Sequence, residues 1–145
     1  MKKKSLAIIQ SHPTQFDTSL FRTLHKNEKF NFCAYFTNAQ NKENSYDPEI
    51  SRRSGWDMDI ISGYDSVFFS KNLLEKILTI FSIIKKSDLI IISGYSSFLY
   101  IIIALFSKFS SVKTGLRADS VFLYRKENFK WKIKDIVLPI IFKLY

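Results

Sequence analysis

Blocks of apolar residues alternate with polar breaks along the chain, and the spacing within each block predicts an element. Leu6 to Gln10 is a short apolar run and reads as a buried first strand. Ser11 to Asp17 is polar and is broken by Pro13. A helix is expected from about Ser19 to Lys26, capped by Asp17 or Thr18, with Leu20, Phe21 and Leu24 on one face. Phe30 to Phe36 reads as a second strand, which completes the strand–helix–strand unit of a parallel sheet. Thr37 to Ser66 is long and polar, and connections of that length in a compact domain are usually functional or disordered. Inside it Trp56, Met58 and Ile60 alternate, which points to a short packed strand, and Val67 to Phe69 reads as the third strand of the sheet.

Asn72 to Lys86 is the clearest helix. Asn72 can cap it, Glu75 follows three residues later, and Leu73, Leu74, Ile77, Leu78, Phe81 and Ile84 recur at helical spacing. Lys85 and Lys86 suit the negative end of the helix dipole. Asp88 to Ser93 is a continuous apolar run behind one acid, the pattern of a strand covered on both faces, and Gly94 marks its exit turn. Ser97 to Lys108 is apolar nearly all round, which predicts a helix buried in the core or against a partner domain. Val112 to Leu116 reads as a further strand, and Trp131 to Tyr145 as a helix kinked at Pro139. The fold expected from this order is α/β: a Rossmann-like open parallel sheet with helices on both faces, built as one domain over residues 1–145. The apolar ending, from Ile140 to Tyr145, leads us to expect a further strand beyond it.

Composition changes this picture little. The 46% hydrophobic and 24% charged content is that of an ordinary globular chain, and no internal repeat is evident. Cys33 is the single cysteine, lies in an apolar run, and reads as a buried structural thiol. The apolar run after Lys2, Lys3 and Lys4 is too short for a signal peptide. The strongest run, Phe98 to Phe106, falls far short of the about 20 residues a membrane span needs, so a cytoplasmic chain is expected. The net charge of +9 has two readings, attraction to an anionic partner or lysines spread over solvated faces. Lys126, Lys130, Lys132 and Lys134, interleaved with Phe129, Trp131 and Ile133, form the candidate patch for peripheral contact with an anionic membrane. Nucleic acid is disfavoured as a partner, because no recognition motif occurs and the aromatics sit at core spacing.

Ligands of open parallel sheets bind at the carboxyl ends of the strands. Three loops there carry suitable chemistry. The first is Ser11, His12, Pro13, Thr14, Gln15, Phe16 and Asp17, the second runs from Ser93 through Gly94 and Tyr95 to Ser97, and the third is Arg117, Ala118, Asp119 and Ser120. The first lacks the glycine fingerprint for a pyrophosphate, and neither a P-loop nor a metal-ligand cluster of Cys and His occurs, so no metal or cofactor is expected. His12 is either a solvated loop residue or a ligand contact, and His25 reads as a helix-end cation or a packed imidazole. Arg117 and Asp119 are either a surface ion pair or part of a site, Arg being suited to phosphate or carboxylate.

Ile8 to Asp17 (IIQSHPTQFD), followed by Leu20-Phe-Arg, resembles the start of retaining glycosyltransferases of the GT-B fold, the group that includes many sugar transferases of bacterial surface polysaccharides. Tyr46-Asp-Pro-Glu, Gly55-Trp-Asp, Ile92-Ser-Gly-Tyr and Leu116-Arg-Ala-Asp-Ser follow in the order expected of that group, so the resemblance spans nearly the whole chain. It implies the incomplete N-terminal, acceptor-side half of a two-domain enzyme. The nucleotide-sugar donor and a paired-glutamate motif belong to the C-terminal half, and that motif does not occur in these residues. It implies an acceptor glycan or lipid-linked sugar near His12, Thr14, Gln15, Phe16 and Asp17, with Gly94, Tyr95, Arg117 and Ser120 as further contacts and Asp119 against the donor sugar. The chain alone is then expected to be inactive. The alternative is a non-catalytic binding domain that keeps the Rossmann-like fold.

Overall fold

The computed structural model describes residues 3–38, 59–95, 97–118 and 137–145, together with the backbone of 45–47 and 52–54. Five strands, β1 (Lys4–Gln10), β2 (Phe30–Phe36), β5 (Ser66–Phe68), β6 (Leu89–Ser93) and β7 (Lys113–Arg117), form one sheet in the order β5-β2-β1-β6-β7. Every pairing in it is parallel. This is the Rossmann-like α/β sheet expected. The chain adds β2 and β5 on one side of β1, then returns to add β6 and β7 on the other, so strand order reverses between β1 and β6.

Helices cover both faces: α1 (Gln15–Lys26), α2 (Leu73–Lys86) and α3 (Phe98–Lys108). The two-residue alternation of strands divides the core accordingly. Leu6 and Ile8 of β1 point to one side, where they join Phe21 of α1, Phe32, Ala34 and Phe36 of β2, and Tyr64. Ala7 and Ile9 point to the other and join Ile80 and Ile83 of α2, Ile90 and Ile92 of β6, and Tyr100, Ile103 and Ala104 of α3. Burial of a side chain such as Ile9 or Ile92 stabilises the fold by about 1.5–3 kcal/mol.

Two expectations need correction. Helix α1 starts four residues earlier than expected, because Thr14 rather than Asp17 or Thr18 is its cap: the Thr14 hydroxyl accepts the Asp17 amide, and Pro13 precedes it. Within the long connection the strands are β3 (Ser45–Asp47) and β4 (Arg52–Ser54), an antiparallel ribbon outside the main sheet, while Trp56 and Met58 lie outside the described residues. Ile60 from that stretch is buried. Helix α3 buries Tyr100, Ile103 and Ala104 in the core and leaves Phe98, Leu105 and Phe106 exposed, so the core covers one side of its apolar surface. Residues 137–142 are helical, and Leu144 and Tyr145 pack on the α2–α3 side of the core, whereas 131–136 lie outside the described residues.

Candidate functional site

The loop leaving β1 is held by its own polar groups. Gln10 is buried and its amide donates to the His12 carbonyl at 2.8 Å. The Thr37 and Asn38 amides donate to the carbonyls of Gln10 and Ser11, extending the β1–β2 pairing past the strand ends. His12 is half-buried and its Nδ1 lies 2.8 Å from Ser11 Oγ. Thr14 then caps α1 and donates to Asp17 Oδ2 at 2.9 Å.

Asp17 is nearly buried, and its other oxygen receives Arg117 Nη1 at 2.6 Å. Arg117 ends β7, two strands away from β1, so this ion pair reaches across β6. The same residue's carbonyl accepts the amide of Gly94, at the exit of β6, at 2.8 Å. Arg117 thus ties together the ends of all three loops singled out in the sequence. Its carboxylate partner among the described residues is Asp17; Asp119 and Ser120 lie outside them. The amino end of α1, where a Rossmann sheet commonly holds phosphate, carries the chain's own carboxylate.

Other predicted site residues fall around this tie. Phe16 is exposed in the first turn of α1 and Gln15 is half-buried beside it. Tyr95 packs edge-on against Phe142, with ring centres 5.8 Å apart. Gly94 has φ of +100°, a left-handed turn that side-chain-bearing residues rarely adopt. His25 is exposed and lies 3.9 Å from Asp65 on the far side of the site's elements, so the helix-end reading fits it. The Cys33 thiol is half-buried rather than buried, and what burial it has pushes its pKa up.

A polar cleft of about 490 Å³ opens at the reversal of strand order. Ser11, Thr37, Asn38, Ser93, Ser97 and Tyr100 line it, with Lys76 from α2 and Leu99. Most of these escaped the sequence reading. Thr37 and Asn38 follow the carboxyl end of β2, where the rule applied to the other strands would have found them. Lys76 and Tyr100 were hidden inside helices whose apolar periodicity reads as core. The hydroxyls of Ser93 and Tyr100 are buried without a hydrogen-bond partner, as is that of Tyr145. Burial pushes the Tyr100 pKa up; the Thr37 hydroxyl lies close enough to oppose this without making a well-directed hydrogen bond.

Among the described residues no group of His, Cys, Asp and Glu is placed to hold a metal, and no helix is long and apolar enough to cross a membrane. The Lys126 to Lys134 cluster lies outside those residues. Comparison with protein-family models, curated proteins and solved structures gave no match for the chain.

Proposed function

We propose that this chain is the acceptor-side domain of a glycosyltransferase, binding a glycan or lipid-linked sugar that receives a sugar from a nucleotide-sugar donor. The observation that carries the reading is the Arg117 tie: loops from β1, β6 and β7, three of the segments on which the resemblance to GT-B enzymes rests, meet at one carboxyl edge. The occupied amino end of α1 supports a domain that leaves the donor diphosphate to another domain. Asp119 would contact the donor sugar, and His12, Gln15 and Phe16 the acceptor. An anionic membrane surface, met through Lys126 to Lys134, would present a lipid-linked acceptor.

The test combines the chain with the donor-side domain of such an enzyme and follows transfer from a nucleotide sugar. Expected are no turnover by the chain alone, transfer by the pair, and a loss of about tenfold or more in Arg117→Gln and Asp119→Ala, the scale of one charge-assisted hydrogen bond. Amide shifts from a nucleoside diphosphate centred on the Thr14–Asp17 turn would overturn the assignment. Glycan binding without transfer in any combination would leave the non-catalytic binding domain.

A further inference from the structure

The polar cleft has a chemistry of its own. Its one charged side chain among the described lining residues is Lys76, and no described carboxylate lines it. It also receives the amino end of α3. Ser97 caps that helix by position, yet its hydroxyl makes no cap hydrogen bond, and the first turn holds no acid. The contrast with the other helices is internal to the molecule: Thr14 and Asp17 fill the start of α1, and Asn72 accepts two amides at the start of α2. A helix of 11 residues presents partial positive charge and open amides at such an end.

The second observation is independent of the helix. Tyr100 is 3% exposed and lines the cleft, and its hydroxyl has no hydrogen-bond partner. The buried hydroxyl of Ser93, which also lines the cleft, has none either. Buried polar groups are normally satisfied, and two exceptions among the residues that line one cleft point to oxygens supplied from outside the chain. Donors from Lys76, Ser93, Ser97, Tyr100 and the α3 amides outnumber what the two oxygens of a carboxylate could receive well. The three terminal oxygens of a phosphoryl group match them better.

We propose that this cleft binds a phosphoryl group, held by Lys76, the amino end of α3 and the hydroxyls of Ser93, Ser97 and Tyr100. Resting on the glycosyltransferase reading, this makes the acceptor a phosphorylated one, a soluble sugar phosphate or a lipid-linked phosphosugar.

The experiment titrates the chain with inorganic phosphate, a hexose phosphate, the matching neutral hexose, and neutral vesicles with and without a polyprenyl phosphate sugar, reading backbone amide shifts. Shifts at Ser97, Phe98 and Leu99 with inorganic phosphate, weakening with salt, are expected. Lys76→Gln should weaken phosphate about tenfold, the scale of a charge-assisted contact. Tyr100→Phe should raise the melting temperature of the free chain, because it removes an unsatisfied hydroxyl, and at the same time weaken phosphate severalfold. That opposite pair is not the behaviour of a merely structural tyrosine. Binding of the hexose phosphate marks a soluble acceptor, and binding only of the lipid-bearing vesicles a membrane one; both support the cleft. Absent phosphate shifts at low-millimolar concentration, or equal binding by Lys76→Gln and the parent, overturns it. Phosphate binding here without transfer by any reconstituted pair would sink the glycosyltransferase reading and leave the anion site standing. Transfer to neutral acceptors alone, without phosphate binding, would do the reverse.

Discussion

At the scale of single residues, polar contacts fix the loop side chains that meet at Arg117 and the turn that carries Tyr64. Tyr64 is the clearest case away from the cleft. It is nearly buried, its ring meets Phe21 edge-on with centres 5.2 Å apart, and its hydroxyl donates to the Ile60 carbonyl at 2.6 Å. That bond anchors the end of the long connection, where Arg22 also holds the carbonyls of Asp59 and Ser62. Burial pushes the Tyr64 pKa up to about 12. The folded state therefore keeps this proton over a range in which an unfolded tyrosine has lost it, so the contribution is whole below about pH 10 and is lost as pH rises through 12. Tyr64→Phe keeps the ring and removes the bond and the titration. It should cost about 1 kcal/mol near neutral pH and flatten the alkaline fall in stability relative to the parent. Urea unfolding at a series of pH values checks this, and parallel curves for the two proteins above pH 10 would refute it.

The elements show which parts of the fold could be read from sequence. Where one face or both faces of an element are apolar, the period alone located it: β2, α2 and β6 lie within a residue or so of their expected bounds. Helix starts depend on a single side chain and were less legible. Asp17 has the chemistry of a cap but stands in the first turn, because Thr14 was free to take the cap and Arg117 to take the carboxylate. Nothing in residues 15–20 reveals a partner 100 residues away. The ribbon of β3 and β4 was missed for a related reason: SYD and RRS have no apolar alternation to read. The caps can be ranked by experiment. Thr14→Ala removes a cap and unseats a paired carboxylate, and should cost about 1–2 kcal/mol. Ser97→Ala removes a hydroxyl that bonds nothing on its helix and should change stability by less than about 0.5 kcal/mol. Similar losses in thermal unfolding of the two variants would show that α3 is capped after all, and would weaken the case that its amino end is kept for a ligand.

For the molecule as a whole, the order of strands decides what faces what, and that order is set by tertiary pairing. Loops at the carboxyl edge could be listed from sequence, yet the reversal between β1 and β6 that gathers them is a property of the folded sheet. The same folding leaves an apolar outer side. Between α2 and α3 runs a groove of about 450 Å³ whose walls include Leu73, Ile77, Phe81, Phe98 and Phe106. Phe81 and Phe106 touch there with ring centres 5.7 Å apart while remaining about half exposed, at 53% and 45%. Exposed apolar surface gathered in this way binds hydrophobic probes without any unfolding. The folded chain is therefore expected to bind a hydrophobic dye in the absence of denaturant. Phe81→Lys should abolish most of that signal and shift stability by no more than about 1 kcal/mol, because the side chain already meets water. Ile103→Ala lies on α3, the helix across the groove, but in the sealed core, so it should cost about 2–5 kcal/mol and leave dye binding by the remaining folded molecules unchanged. Dye fluorescence with calorimetry on the three proteins separates these outcomes. Dye binding that tracks loss of stability, rising in Ile103→Ala and unaffected by Phe81→Lys, would mean that the probe reports unfolding and that the groove is closed in solution.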